Sequence, residues 1–511
     1  SFMYEPYLAF HNISAMSTSL FRPWGASLVV LAGTLSLAAS TDQCQVSPVE
    51  KVDCHIQDSA GCVAAGCCWK PVEPNPGNLP WCYYKAGSVK TCTLKASPKA
   101  PFSDPELEEV RQLFEANLDI QGSGMVVAAP DHNTGPGGDY YYAWMRDGAL
   151  SMSAYLATSR SVADAEEKME HWLAWVERSY KQDDPHGDIM VEPKFNIPDG
   201  TPFAGGWCRP QNDGPGLRAV TEMEYAKAKP DVAQRVWNLV QKQLDWVAAN
   251  YSAPGCDLWE ELTSIDFFWD RYTMRKALIQ GSEFAQSIGQ DPQRASSYRS
   301  AAAAITQALS KHITSDGWIL ESDSRQKDTA VIEALNVGDL GDGIFAPLSK
   351  EVAGTLNILS HYFCNAFEVN QQAAQAGTPG VLFGRYEGDN YAGGNPWVLL
   401  TASAATLLYR QSTSLADGAS LEPEAADVLK GLLGQEVTPA NLLAGGDAIL
   451  NRMKTFLTNG MHMNEQINRN DGTMLSAKDL TWNYANVLKA MQARIVAVKA
   501  HSGSVDQELM I

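Results

Sequence analysis

The chain has 511 residues, 45% of them apolar and 19% charged, so it can bury a sizeable core and is not a disordered polymer. Its 39 Lys and Arg against 59 Asp and Glu leave a net charge of −20, which excludes a general nucleic-acid binder and docking on anionic lipid, since both need a basic face. A neutral ligand such as a sugar meets no electrostatic conflict on an acidic surface.

The first element in chain order is the apolar run Ala26–Ala38, which follows Arg22 and precedes the small residues Ala39 and Ser40. That is the layout of a secretory signal, with a buried helix as the alternative, and Met16 offers an internal start. Residues 1–40 are therefore set aside from the fold. No run reaches the roughly 18 apolar residues that span a bilayer.

The cysteines agree with export. Six of the ten lie between Cys44 and Cys82, a density that suits an oxidising compartment. The expected location is extracellular, with a vacuole or lysosome as the alternative, and the sequon at Asn250 is an expected glycan acceptor. Residues 41–88 form a candidate module of about forty residues, too short to build a sufficient core without bridges. Spacing alone leaves 15 connectivities open for six cysteines. Zinc is a poor alternative, because His55 is the segment's single histidine and paired C-x2-C knuckles are missing. Cys92 reads as a free thiol, Cys364 has no evident partner, and Cys208 and Cys256 flank motifs that could bring them together. Residues 89–103, rich in Pro and Ser, read as a linker.

From residue 104 to 500 there is no second break in composition, and a tail, 501–511, follows. Helical patterns dominate: Asp104–Leu118, Asp147–Ser159, Ala163–Tyr180, Pro230–Asn250, Phe267–Gly289, Pro292–His312, Pro396–Gln411, Asn441–Leu457 and Ser476–Ala500. Val232, Val236, Val240, Leu244 and Val247 recur at helical spacing and mark one buried stripe. So many helices in one uninterrupted stretch suggest an all-α toroid. Loops dense in aromatics, Gly and charge separate them at 130–147, 184–215, 251–268, 384–397 and 459–482. Loops gathered on one rim of a rigid scaffold would make one pocket.

The chemistry left to such a chain is carboxylate chemistry. It has no H-E-x-x-H zinc motif, no phosphate loop and no G-x-S-x-G elbow, so neither metal nor organic cofactor is expected. Asp257-Leu258-Trp259-Glu260-Glu261 would, if helical, place three carboxylates near one face, where mutual repulsion and an apolar wall raise at least one pKa. A solvated acidic turn is the simpler account of that motif taken alone. Glu465, between Gly460-Met461-His462 and the polar loop Asn468–Thr473, could stay ionised among amides and orient a water, or be ordinary surface.

Two resemblances decide between these accounts. Gly66-Cys67-Cys68-Trp69 and Leu79-Pro80-Trp81-Cys82-Tyr83-Tyr84 resemble a P-type (trefoil) domain. That resemblance implies the pairs Cys44–Cys68, Cys54–Cys67 and Cys62–Cys82, and a module that often binds glycans. Trp69, Trp81 and Tyr83 would either stack on sugar or simply cover the bridges.

The large domain resembles family 15 glycoside hydrolases, the glucoamylases, in five blocks. These are Asp139–Asp147; Glu192–Asn196 with Gly206–Pro215; Asp257–Glu261; Gly384–Tyr386 with Gly394–Trp397; and Asn464–Gln466 with Leu475–Trp482. The resemblance implies an (α/α)6 barrel with Glu260 as general acid and Glu465 as general base. It implies Arg146 and Asp147 on the hydroxyls of the terminal glucose, and Tyr140 near the anomeric carbon. Trp144, Trp207 and Trp482 would line the pocket, with core packing as their alternative, and Trp259, Trp397 and Gln466 would join the binding set. Arg209 and Glu261 would hold the leaving sugar, and Asp257 would support the acid.

Inverting hydrolysis is implied, with carboxyls roughly 6.5–9.5 Å apart, acting on α-1,4-glucan ends and more slowly on α-1,6 links. The same mechanism on trehalose or isomaltose-type glucosides is the alternative, ahead of a phosphorylase or a catalytically weak glycan binder. Cys364 aligns where relatives often carry an arginine, Cys208 where they often carry Gly, and no carboxy-terminal starch-binding domain is expected.

Overall fold

The computed structural model describes residues 43–46, 51, 54, 56, 58–75, 79–86, 88, 90–133, 135 and 138–502. The signal-like segment 1–40 and the tail after Ser502 lie outside the described residues.

Covalent bonds hold the first module. Helix α1 (Ser59–Ala64) starts at Asp58, whose carboxylate accepts the Gly61 N–H at 2.8 Å. Strands β1 (Cys68–Trp69) and β2 (Cys82–Tyr83) pair antiparallel. The bridges are Cys44–Cys68, Cys54–Cys67 and Cys62–Cys82. Trp69 and Trp81 meet edge to face at 6.0 Å and stay half-exposed. Tyr83 does not join a sugar-stacking surface. It is fully buried, its hydroxyl donates to the Cys44 carbonyl at 2.8 Å, and the Lys51 amine caps its ring at 4.3 Å.

Residues 90–103 are irregular but pinned to the helical body. Cys92 is not free: it bridges to Cys364, which gives both cysteines the partner that their sequence context failed to suggest. The Gly380 N–H donates to the Thr93 carbonyl at 2.9 Å, the Lys99 N–H donates to Asp447 at 2.7 Å, and Leu94 is fully buried.

The body alternates outer and inner helices. In chain order the helices are α2 (Asp104–Glu115), α3 (Met145–Thr158), α4 (Val162–Ser179), α5 (Asp213–Ala228), α6 (Ala233–Asn250), α7 (Phe268–Ser287) and α8 (Pro292–Leu309). They continue with α9 (Ala330–Val337), α10 (Lys350–Ala366), α11 (Glu368–Ala376), α12 (Val398–Ala416), α13 (Pro423–Leu433), α14 (Pro439–Lys454) and α15 (Thr481–Ser502). Among the described residues α3, α5, α7, α9, α12 and α15 pack each on the next, and α15 returns to α3, closing a ring. Around it α2 packs on α15, α4 on α3 and α5, α6 on α5 and α7, α8 on α7, α10 on α9, and α14 on α12 and α15. Helix α13 lies against α10 and α14, and α11 against α10. This is the expected toroid of two concentric rings.

Outer helices carry conventional starts. Ser103 and Glu106 form a capping box on α2, Ser161 caps α4, Asp291 precedes Pro292 on α8, and Thr438 precedes Pro439 on α14. Inner helices are buried almost all round. In α5 every residue from Asp213 to Met223 is buried. Short antiparallel ribbons precede three inner helices: Tyr142–Trp144 with Lys194–Asn196 before α3, Gly255–Cys256 with Thr263–Ser264 before α7, and Gln466–Ile467 with Met474–Leu475 before α15. All the site residues described next lie in the segments entering the inner helices or in their first turns, so they share one end of the barrel. Six helix N-termini there favour negative charge.

Candidate active site

A cavity of about 320 Å³ opens among those segments. It collects Tyr140, Trp144, Arg146, Asp147, Trp207, Trp259, Glu260, Glu261, Trp397, Glu465 and Trp482 from five separate stretches of sequence.

Glu260 sits on a tight turn between the two strands of the Gly255–Ser264 ribbon, not on a helix. Its N–H donates to the Asp257 carbonyl at 3.0 Å, and its φ of 65° is left-handed, a strained conformation for glutamate. The turn aims the carboxyl into four donors. Trp144 Nε1 reaches Oε1 at 2.9 Å, Gln211 Nε2 reaches Oε1 at 2.8 Å, Trp207 Nε1 reaches Oε2 at 2.9 Å, and Arg146 Nη2 lies 3.3 Å from Oε1. Burial pushes the Glu260 pKa above the ordinary value, while Arg146 and these donors pull it back. Desolvation biases a carboxyl so placed towards its protonated form, yet stabilising donors are ready when the proton leaves.

Glu465 faces the same cavity and is 2% exposed. Ser476 Oγ and Gln466 Nε2 donate to its Oε2, the latter at 2.8 Å, and the Tyr140 hydroxyl donates to Oε1 at 3.0 Å. Burial raises its pKa, and the three donors oppose the rise. Burial and the Glu465 charge keep the Tyr140 hydroxyl protonated, so it remains a donor. The Tyr140 ring lies 6.1 Å from the Trp144 ring, so a line of contacts runs from Glu465 through two aromatics to Glu260.

The floor is Arg146 and Asp147, in the first turn of α3. Arg146 Nη1 is held by Asp213 at 2.8 Å and Gln211 at 3.1 Å, while its buried Nε, 4.0 Å from Asp147 Oδ2, has no hydrogen-bond partner. Burial lifts Asp147 to a pKa of about 6, against the pull of Arg146. Trp397 Nε1 is likewise buried without an acceptor. Unsatisfied donors are costly inside a protein, and hydroxyl groups would satisfy them.

At the rim Glu261 meets Arg325 at 2.8 Å and Arg385 at 2.9 Å, and accepts the Tyr386 hydroxyl. Trp259 Nε1 donates to both oxygens of Asp328, whose pKa burial pushes up to about 7.

Three expected site residues are placed elsewhere. Arg209 does not line the cavity: Glu192, 1% exposed, takes its Nε and Nη2, and the carbonyls of Gly205 and Phe203 take the rest. Asp257 is 2% exposed and turns away, pairing with Arg325 and accepting the N–H groups of Glu261 and Leu262 at 2.7 and 2.8 Å. It shapes the turn. Gln466 lies behind Glu465, receives Asn395 Nδ2 on its own oxygen at 2.9 Å, and does not itself line the cavity. Cys364 is buried in its bridge, so no leaving-side contact is built there.

The sequence reading missed Gln211, Arg385, Tyr391 and Ser476, although all four lie inside or beside motif blocks that it quoted. It also missed Lys194, whose amine sits 3.7–4.5 Å from the ring centres of Trp207, Tyr142, Phe203 and Trp144; burial lowers its pKa to about 8. Asn250 ends α6, half-buried, beside a separate groove.

A larger cavity, about 550 Å³, lies among α9, α12 and α15. Its polar groups mostly satisfy each other, as in Arg410 with Asp339, Asn486 with Glu333, and Asn336 with Ser403. None of the residues singled out from sequence lines it.

Two desolvated carboxyls with separate donor sets, facing one aromatic-walled cavity with hydroxyl-binding groups on its floor, define a glycoside-cleaving hydrolase. The comparisons with known proteins agree. Residues 110–492 match the description Glycosyl hydrolases family 15, and residues 44–85 match the Trefoil (P-type) domain. The chain belongs to glycosyl hydrolase family 15.

It is 30% identical over 450 residues to a glucoamylase of Blastobotrys adeninivorans, covering 77% of this chain and 71% of that protein. It is 30% identical over 425 residues to glucoamylase 1 of Rhizopus oryzae, covering 75% and 69%. The family 15 glucoamylase structure from Hypocrea jecorina superposes with a TM-score of 0.67 at 26% identity, over 78% of this chain and 72% of that one. The Saccharomycopsis fibuligera glucoamylase shares the fold, with a TM-score of 0.70 at 23% identity, over 79% and 97%.

Proposed function

We propose that the chain is an exo-acting, inverting glucoamylase. It releases β-D-glucose from the non-reducing ends of starch-like α-1,4-glucans and cleaves α-1,6 links more slowly. The observation that carries the reading is the pair Glu260 and Glu465 in one small cavity, each with its own donors.

Glu260 gives its proton to the glycosidic oxygen. As the bond breaks, negative charge grows on Glu260, and the indole N–H groups of Trp144 and Trp207, the Gln211 amide and Arg146 stabilise it. Glu465, whose ionised form Ser476, Gln466 and Tyr140 stabilise, takes a proton from the water that attacks the anomeric carbon from the opposite face. The Tyr140 hydroxyl and ring lie beside that reaction. Arg146 Nε and Asp147 bind hydroxyls of the terminal glucose. Glu261, set between Arg325 and Arg385, receives the leaving sugar.

Five disulfides and the sequon at Asn250 support an extracellular location with a glycan on that residue. Among the described residues no helix is long and apolar enough to cross a membrane. Trp69 and Trp81 remain the accessible aromatics through which the trefoil module would bind glycan.

Proton NMR of the anomeric signal during maltooligosaccharide hydrolysis tests the reading. β-Glucose appears first, and both Glu260→Gln and Glu465→Gln abolish it. Early α-glucose, or an active Glu260→Gln enzyme, refutes it.

A further inference from the structure

The wall that carries Trp207 is lightly built. Residues 202–212 form no helix or strand beyond one isolated bridge at Pro202, and Ala204 and Gly206 are exposed. Gly205 and Gly206 precede Trp207 and widen the backbone's choice of conformation, so the loop depends on its ties, one of which is Arg209 holding the Gly205 and Phe203 carbonyls. Yet Trp207 must hold its indole N–H on Glu260 Oε2 at 2.9 Å, and Gln211 must hold its amide on Oε1 at 2.8 Å.

Between these two donors stands Cys208, a residue of the cavity wall, bridged to Cys256 on the ribbon strand that leads into the Glu260 turn. A further link beside the bridge joins the same two segments. The Cys256 N–H donates to the Pro210 carbonyl at 2.8 Å, and Gln211 Nε2 also reaches the Cys208 carbonyl at 3.2 Å. Gly255 packs so close to Asn212 that an added Cβ would lie 2.4 Å from its amide nitrogen.

We infer that the Cys208–Cys256 disulfide is a positioning element of the catalytic acid: it locks the Trp207 loop to the Glu260 turn so that both donors stay on the carboxylate. The inference rests on Glu260 being the acid. Cys208 and Cys256 take no part in the proton transfer; they act through Trp207 and Gln211. With the bridge opened, the loop relaxes about its glycines, the ionised form of Glu260 loses donors, and proton transfer slows. Losing donors to the ionised form raises the pKa of the acid, so the alkaline limb of the pH–rate profile moves up.

The Cys92–Cys364 bridge supplies the control. It lies away from the cavity and closes 272 residues of separation against 48 for Cys208–Cys256, so its loss costs more stability in the loop-entropy account. The experiment compares wild type, the double variant Cys208→Ala/Cys256→Ala, the double variant Cys92→Ala/Cys364→Ala, and Glu260→Gln. Each is assayed on maltoheptaose well below its own melting temperature.

The first double variant is expected to lose about tenfold or more in kcat with KM changed less than about threefold, and to move its alkaline limb up by about 0.5 pH unit or more. The Cys92/Cys364 variant is expected to melt lower yet keep the wild-type rate and profile. If the Cys208/Cys256 variant does not fold, graded dithiol reduction of the native enzyme, with alkylation mapping of each bridge, is the substitute. Activity should then fall with the opened fraction of Cys208–Cys256. Unchanged kcat and limb, or activity lost only in step with unfolding, overturns the inference. An inactive Glu260→Gln beside an unimpaired bridge variant overturns the inference alone, whereas a fully active Glu260→Gln overturns the acid assignment and the inference together.

Discussion

Replacing Trp207 by Phe removes one hydrogen-bond donor from the reaction and little else. The indole ring of Trp207 meets Trp144 at 5.7 Å and Phe203 at 6.0 Å, and the Lys194 amine sits 3.7 Å from its centre. A phenyl ring keeps most of those contacts, so sugar binding is expected to change little. The Nε1–H on Glu260 Oε2 at 2.9 Å is lost. A hydrogen bond to a charged acceptor contributes about 1.5–3 kcal/mol. The Glu260 side chain is 17% exposed, so solvent replaces part of the loss and the lower end applies.

That lower end is worth about tenfold in kcat, and about one unit of pKa at 1.36 kcal/mol per unit. The donor favours the ionised form of Glu260, so its removal raises the pKa. The acid works in its protonated form, and the alkaline limb therefore moves up by about one unit while the rate at the optimum falls. Steady-state kinetics on maltose and maltoheptaose from acid to mildly alkaline pH measure both effects. A kcat within twofold of wild type with an unmoved alkaline limb would refute the claim that Trp207 stabilises charge on Glu260.

Other perturbations separate neighbouring roles. Gln466→Leu removes a donor to ionised Glu465, so the base pKa rises and the acid limb of kcat/KM should move up, leaving the alkaline limb in place; kinetics across the acid limb check this. Arg209→Ala strands the buried Glu192 carboxylate and should cost about 3–5 kcal/mol of stability with KM unchanged, checked by denaturant unfolding and maltose kinetics; a KM effect without destabilisation would return Arg209 to the sugar site. Buried Asp147, Asp328 and Glu222 have pKa values raised to about 6, 7 and 8. The folded state thus binds protons that the unfolded chain releases near pH 4, and stability present in acid is lost as pH climbs towards 8. Melting temperature should fall across that window, and Glu222→Gln, whose partner Gln243 sits at 3.0 Å, should flatten the fall in calorimetry.

How much of this was legible in the sequence depended on which face of a helix meets water. Outer helix α6 alternates Val236, Val240, Leu244 and Val247 with solvent-facing polar residues, so its stripe could be read directly, and only its first turn, Pro230–Val232, proved to be 3₁₀. Inner helix α5 could not be read. It is buried on nearly every side, so it has no polar face to set a period, and its start, Asp213-Gly214-Pro215-Gly216, looks like a turn. Helix α9 went unseen for the same reason: its first six residues are all buried. The toroid could therefore be inferred from most of its outer ring, four inner helices and the motif blocks, while two of the six inner helices, α5 and α9, were hidden.

The site shows the complementary pattern. Its residues cluster in loops because the barrel fixes only the ends of inner helices, so motif blocks marked the right stretches of chain. What a block cannot say is which of its adjacent side chains faces the cavity. Asp257 and Glu260 are three residues apart, and a helix would have put them on one face; the turn that forms instead sends Asp257 to Arg325 and Glu260 to the tryptophans. Arg209 and Gln466 are sorted in the same way, each drawn behind the wall by hydrogen bonds to a buried carboxylate, Glu192 and Glu465 respectively. Desolvation decides the sorting. A charged or amide side chain in these loops settles where its hydrogen bonds can be completed within the protein, and the cavity-side donors Arg146 Nε and Trp397 Nε1, which no hydrogen bond meets, stand where a hydroxylated substrate can complete them.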